Sequence, residues 1–303
     1  MSYILLTLLG LISLMPIQSK EIEVQGHRGA RGHMPENTLP SFASAIEAGA
    51  DVLELDLLVT KDGELIIHHD FYLNKELCTF LDGSSVSSAP LICSLSLAML
   101  KQYDSGRKTN RNFPRQKPVP GTQIPTLQEL FDFIKNSSHH NAKKVRLNLE
   151  IKRDPYHPEW TIGAREFAQK VIDKVEKNGF ADRIYYSSFD PEVLQEIRKL
   201  DPKAKIGFLF EEETFPTFSY PDHQAGMKSL LALASSFKAD TISPDYVLLK
   251  PEDVSILKKS GFRVVVWTVN DPKQWAALID MGVDGIITDF PDELIKFLDD
   301  RKL

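Results

Sequence analysis

From about residue 23 to the C-terminus, short runs rich in β-branched and aromatic residues alternate with segments whose apolar side chains recur every three or four positions. A period of two marks a strand and a period near 3.6 marks a helix. The pattern predicts eight strands: EVQGH at 23–27, DVLELDLLV at 51–59, VRLNLEI at 145–151, RIYYSS at 183–188, KIGFLF at 205–210, DTIS at 240–243, RVVVWTV at 263–269 and DGIIT at 284–288. Helical patterns lie between them, among them LPSFASAIEAG, TLQELFDFIK, EFAQKVIDKVEKNG, PEVLQEIRKL, PEDVSILKKSG, DPKQWAALIDMG and PDELIKFLDD. Several open on Asp-Pro or Pro-Glu and several close on Gly, which is the start and stop punctuation of helices. Strand then helix, repeated eight times, requires parallel strands joined by crossovers. A closed (β/α)8 barrel is the simplest architecture that satisfies it.

One segment breaks the rhythm. Residues 71–124, rich in Ser, Pro, Asn and Lys, interrupt the second β/α unit before TLQELFDFIK. A loop of that length in a compact domain is usually a lid or a small subdomain. Its stretch from Lys101 to Lys117 is basic, which reads as a solvated face, or as an attractor of anionic substrate if the insertion folds over the barrel mouth. Length and composition are those of a globular enzyme-sized chain. Acidic residues exceed basic ones, 42 against 36, so no nucleic-acid footprint is expected.

The first 19 residues carry no charge, and YILLTLLGLISL is an apolar run too short to span a bilayer comfortably. Residues 1–19 therefore read as a signal peptide cut after Ser19, with 20–303 as one exported domain, periplasmic or secreted, and no stable membrane span once the leader is gone. In an oxidising compartment the two cysteines, Cys78 and Cys93, could bridge, or they could remain free thiols.

Residues at i and i+2 of a strand share a face, so Glu54 and Asp56 point the same way and repel each other among leucines. Glu150 and Lys152 repeat the arrangement on the next strand. Three carboxylates with no cysteine nearby favour a hard divalent cation, Mg2+ or Ca2+, over zinc. His27 ends the first strand, and His69, followed by Asp70, is expected to line the site in preference to His68. Arg28 offers forked donors that suit phosphate. Thr38 or Asn37 can cap the following helix, while Glu36 and Asn37 are further candidate contacts. His27, Glu54, Asp56, Glu150, Ser188, Asp245, Trp267 and Asp289 all fall at or just beyond predicted strand ends, where barrel active sites lie. With no nucleophile motif and no nucleotide loop, the set suits hydrolysis of a phosphate ester.

HRGARGHMPENT, GADVLELDLLVTKDGELIIHHD, LEIK, VVVWTVN and GVDGIITDFPD resemble, in order, the motifs of the glycerophosphodiester phosphodiesterase family, and the insertion and ISPDY resemble its exported bacterial branch. The resemblance implies a TIM barrel that hydrolyses glycerophosphodiesters, such as glycerophosphocholine, to glycerol 3-phosphate and an alcohol. It implies His27 and His69 as the general acid/base pair, Glu54, Asp56 and Glu150 as metal ligands, and Arg28 and Lys152 as phosphate contacts, with Trp267 added to the substrate-binding set. It also implies Ca2+, with Mg2+ as the other choice. Two other readings are a lysophospholipase-D-like enzyme, which an apolar groove at the barrel mouth would favour, and a non-catalytic surface binding protein.

Overall fold

The computed structural model describes residues 22–218 and 222–301; the leader assigned to 1–19 lies outside them. All eight strand patterns become parallel strands: β1 Glu23–Gly26, β2 Val52–Val59, β3 Arg146–Ile151, β4 Ile184–Ser188, β5 Ile206–Phe210, β6 Thr241–Pro244, β7 Arg263–Val266 and β8 Gly285–Thr288. Each pairs with the next and β8 pairs with β1, so the sheet closes into the expected (β/α)8 barrel. The helices around it are α1 Leu39–Ala48, α2 Leu127–Asn136, α3 Ala164–Asn178, α4 Pro191–Leu200, α5 His223–Ser236, α6 Pro251–Lys259, α7 Pro272–Met281 and α8 Pro291–Arg301. Side-chain caps start several of them. Thr38 accepts from the Ser41 amide, Thr126 and Glu129 form a capping box, and Asp190 and Asp271 each precede a proline in the first turn. The predicted helical segments do not include α5, whose apolar residues, as in MKSLLALA, form no clean stripe and whose start has no proline.

The two faces of each strand carry different chemistry. On β2, Leu53, Leu55 and Leu57 pack outward into the main core beneath the helices, and on β3, Leu147, Leu149 and Ile151 do the same. Glu54, Asp56, Asn148 and Glu150 alternate with them and face the barrel interior. That interior is polar over much of its depth. Gln25 Oε1 accepts from Asn148 Nδ2 at 3.2 Å and from the Tyr185 hydroxyl at 2.6 Å, and the Ser187 hydroxyl donates to Asn148 Oδ1 at 2.7 Å. Burying these groups costs little because each is partnered.

β2 outlasts β1, and its overhang is paired on the outside by an antiparallel strand, Leu65–Ile67, reached through a turn in which Gly63 has φ 84°. This return strand brings His69 back to the mouth. Beyond it, residues 71–124 form a small subdomain with an antiparallel pair, Thr79–Phe80 with Tyr103–Asp104, and their own apolar cluster around Leu73, Cys78, Ile92 and Leu100. The two thiols are unbonded. Cys78 is buried in that cluster, which pushes its thiol up to about 12, while Cys93 lies in an outer turn against the Glu159 carbonyl at 3.8 Å.

At the opposite end of the barrel, buried Glu23 accepts from Arg146 Nη2 at 2.8 Å and Arg263 Nη2 at 2.9 Å. Burial would raise its carboxyl, but the two guanidinium groups outweigh burial and hold it below 4.5. A depressed folded-state pKa contributes stability above the unfolded value, and that contribution is lost as the pH falls through the folded one. Glu23→Gln is therefore expected to cost about 1–3 kcal/mol at pH 7, by urea unfolding. The gap between variant and wild type should shrink below pH 4.5.

Candidate active site

The parallel register sets Asp56 of β2 beside Glu150 of β3, and Glu54 one step deeper. Glu54, Asp56 and Glu150 each bring an oxygen within 4.8 Å of the others, all three buried. Burial, together with the neighbouring Asp56 and Glu150 carboxylates, pushes Glu54 well above the ordinary range. Asp56 moves the other way: burial would raise it, but the fields of His69, Arg28 and Lys152 and the bond from Asn37 hold it low. One member of the cluster is thus held as an anion while another resists ionisation, the state expected where negative charge exceeds the positive charge available nearby. The donor set is all oxygen, compact and short of positive charge, which fits a hard divalent cation.

The loop from His27 to Asn37 wraps over this cluster. Arg28 adopts φ 51°, which turns its amide onto Glu54 Oε2 at 2.9 Å. Its guanidinium donates to Glu36 at 2.6 Å and passes 3.4 Å from Asp56. Asn37, at φ 55°, donates to Asp56 Oδ2 at 2.7 Å, so the cap of α1 falls to Thr38 alone. Lys152 reaches Glu150 at 2.8 Å and Asp56 at 3.7 Å. Burial would depress its ammonium, but the two carboxylates keep it above its ordinary value.

The two histidines sit in different surroundings. His27 Nδ1 is 2.8 Å from Asp289 Oδ1, and its Nε2 is 3.9 Å from Glu54. Burial and the Arg31 charge lower this imidazole to about 4 against the upward pull of Asp289. His69 Nδ1 meets Asp70 at 2.7 Å, and Asn74 fixes the other oxygen of Asp70. His68 turns away to the Tyr72 carbonyl at 3.3 Å and lines no part of the main cavity, as expected.

That cavity, about 790 Å³, opens at the C-terminal ends of the strands and takes in His27, Arg28, Glu54, His69, Glu150, Lys152 and Trp267. The Trp267 indole N–H is spent on the Ser243 carbonyl at 2.8 Å, so Trp267 lines the cavity without a free donor. Ser188 and Asp245, also at strand ends, have local duties. Ser188 ties β4 to Ile151, and Asp245 caps the turn that follows it. Of the other histidines, His33 meets Asp292, His223 meets Asp253 and His139 caps a turn. A second acidic group, His33 with Asp292 and Glu293, lies toward the surface, and Arg115 already holds Glu293 at 2.6 Å.

Two contributors escape the sequence reading. Arg31 makes two bonds to Asp289, at 2.7 and 3.1 Å, and Asn270 donates to it at 2.7 Å. The only hints in the sequence are the second Arg of HRGARG and the Asn that closes VVVWTVN.

Fold and site define a (β/α)8-barrel enzyme with an anion-handling mouth. Residues 27–293 match the Glycerophosphoryl diester phosphodiesterase family, and the chain belongs to it. It is 30% identical to a glycerophosphodiester phosphodiesterase of Caldanaerobacter subterraneus subsp. tengcongensis, over 91% of this chain and 97% of that one. A human lysophospholipase D is 25% identical over 90% of this chain and 84% of its own length. The crystal structure of a glycerophosphoryl diester phosphodiesterase from Silicibacter pomeroyi superposes with a TM-score of 0.82 at 30% identity, covering 93% of this chain and 94% of that one.

Gly29 holds the turn that starts this loop. It sits at φ 87°, and a Cβ there would lie 2.4 Å from Ser41 Oγ and 2.6 Å from the Ser41 backbone. Gly29→Ala is expected to cost about 2 kcal/mol or more from the left-handed conformation and the clash together, seen as a lowered thermal midpoint.

Proposed function

We propose that this chain hydrolyses glycerophosphodiesters, such as glycerophosphocholine and glycerophosphoethanolamine, to sn-glycerol 3-phosphate and the free alcohol. The observation that carries the reading is the cluster of three carboxylates within 4.8 Å, in one cavity with two imidazoles and the Arg28 and Lys152 cations. The enzyme from Caldanaerobacter supports the same substrate class by its name.

Glu54, Asp56 and Glu150 would hold the divalent cation, Ca2+ by preference and Mg2+ otherwise. Such an ion, when bound, polarises a non-bridging phosphoryl oxygen. Arg28 and Lys152 take up charge that develops on the other phosphoryl oxygens. Asp289 engages Nδ1 of His27 and Asp70 engages Nδ1 of His69, which leaves each Nε2 available for proton transfer. One imidazole removes a proton from the attacking oxygen, of water or of the substrate's own 2-hydroxyl, and the other protonates the departing alcohol oxygen. The uncharged apolar leader supports an exported enzyme, periplasmic or secreted.

A second reading has its own support. The cavity wall formed by Phe189, Phe208, Leu209, Phe215 and Leu233 is an apolar groove at the mouth, and the human lysophospholipase D is a relative. This groove lies on the β4–β5 side, and Phe71 of the insertion lines the same cavity. Lysophosphatidylcholine turned over faster than glycerophosphocholine, with a rate that jumps when micelles form, would favour it.

Glycerophosphocholine incubated with the protein is expected to give choline and sn-glycerol 3-phosphate. EDTA should abolish the reaction and added Ca2+ or Mg2+ should restore it. Phosphocholine and glycerol as products would show that the other ester bond is cut. His27→Ala and His69→Ala should each lower kcat by at least about a hundredfold with the fold intact by circular dichroism, and His68→Ala should stay within a few-fold of wild type. An active His69→Ala beside a dead His68→Ala would reverse the assignment.

A further inference from the structure

The basic stretch of the insertion does not line the main cavity. Lys101 pairs with Glu129, Arg107 with Asp104, and Arg115 with Glu293, so these charges fasten the insertion to its surroundings. A different part of the insertion, residues 110–117, lies against the loop that carries Arg28, Arg31 and Asn37. Buried Gln116 donates from Nε2 to the carbonyls of both Arg31 and Met34, each at 2.9 Å, while its Oε1 accepts from the Asn110 amide at 3.0 Å. The Lys117 amide donates to the His33 carbonyl at 2.8 Å. Asn110 reaches Glu36 at 3.5 Å. The ring of Phe113 lies beneath the Arg31 guanidinium, 4.8 Å from centroid to Cζ, and packs edge-on to Phe290.

We infer that Phe113 and Gln116 are positioning residues for the reaction, acting through Arg31 and Asp289 on the His27 imidazole. This rests on the proton-transfer role proposed for His27. Gln116 fixes the backbone of Arg31, and Phe113 supports the face of its guanidinium. Arg31 then offers Nε and Nη2 to the two oxygens of Asp289, with Asn270 bound to the second. Asp289, so restrained, leaves one oxygen aligned with His27 Nδ1 at 2.8 Å. Among the described residues, the next acid, Glu36, stands 4.0 Å from the Arg31 guanidinium. The insertion is thus a brace on a group that transfers protons. Removing the brace lets the imidazole drift from its reacting geometry, where a displacement of about 1 Å is enough to cost about a hundredfold.

The test uses the full chain with glycerophosphocholine and saturating Ca2+. Phe113→Ala and Gln116→Ala are expected to lower kcat at least about tenfold, with KM changed less than about threefold and Ca2+ affinity, measured by calorimetry, unchanged. Phe113→Tyr, which keeps the ring face, should recover most of the loss, and Phe113→Leu, which keeps apolar bulk without a π face, should not. Phe113 is only half-buried, so the Phe113 variants should fold. The inference is overturned by Phe113→Ala and Gln116→Ala that turn over like wild type, by an equal loss in Phe113→Tyr, or by a loss confined to KM. His27→Ala serves as the control. If it retains full activity, the proposed role of His27 fails, whereas a dead His27→Ala beside a fully active Phe113→Ala defeats only the brace.

Discussion

Excess negative charge, buried at the mouth of the barrel, is the constraint around which the rest is arranged. Three carboxylates on two adjacent strands cannot all stay ionised without compensation, because each has lost its water and lies within reach of the other two. The protein supplies part of that compensation. An amide turned by the left-handed backbone of Arg28, the amide of Asn37 and the ammonium of Lys152 each meet one of the acids. Glu54 is left pushed upward, and the remaining deficit is one that a divalent ion would offset.

The strand faces explain how such a site coexists with a stable fold. Leucines of odd number on β2 and β3 hold the helices to the sheet, and Glu54, Asp56, Asn148 and Glu150 between them carry charge and hydrogen bonds inside the barrel. Polar partners below the site, Gln25, Asn148, Tyr185 and Ser187, keep that interior satisfied without apolar filling. The short return strand after β2 delivers His69 to the same mouth from outside the barrel, a placement the parallel β/α repeat alone does not provide.

The insertion has become part of the site's scaffold. It packs an apolar cluster against Leu58 and Ile66, three of its basic side chains are tied to acids of the barrel and of its own fold, and its last turns grip the loop after β1. The cations that line the cavity itself include Arg28, Arg31 and Lys152, and its apolar lining includes Phe189, Leu209 and Phe215.

The local chemistry of the chain was enough to determine the strands, most helices, the barrel and the sharing of one face by Glu54 and Asp56 and by Glu150 and Lys152. These follow from periodicity and capping, which act between residues a few positions apart. That His68 and His69 would face opposite ways was also legible, because alternation sends neighbours to opposite faces. What only the tertiary structure decided depends on contacts between residues 19 to 258 positions apart: Arg31 and Asn270 meeting on Asp289, Gln116 bridging two carbonyls of a distant loop, and Trp267 spending its N–H on Ser243. Cys78 and Cys93 belong with these, since burial of one and outward placement of the other, and not their spacing, kept them apart. No local pattern encodes such meetings, because they are fixed by where the closed barrel brings the strand ends together.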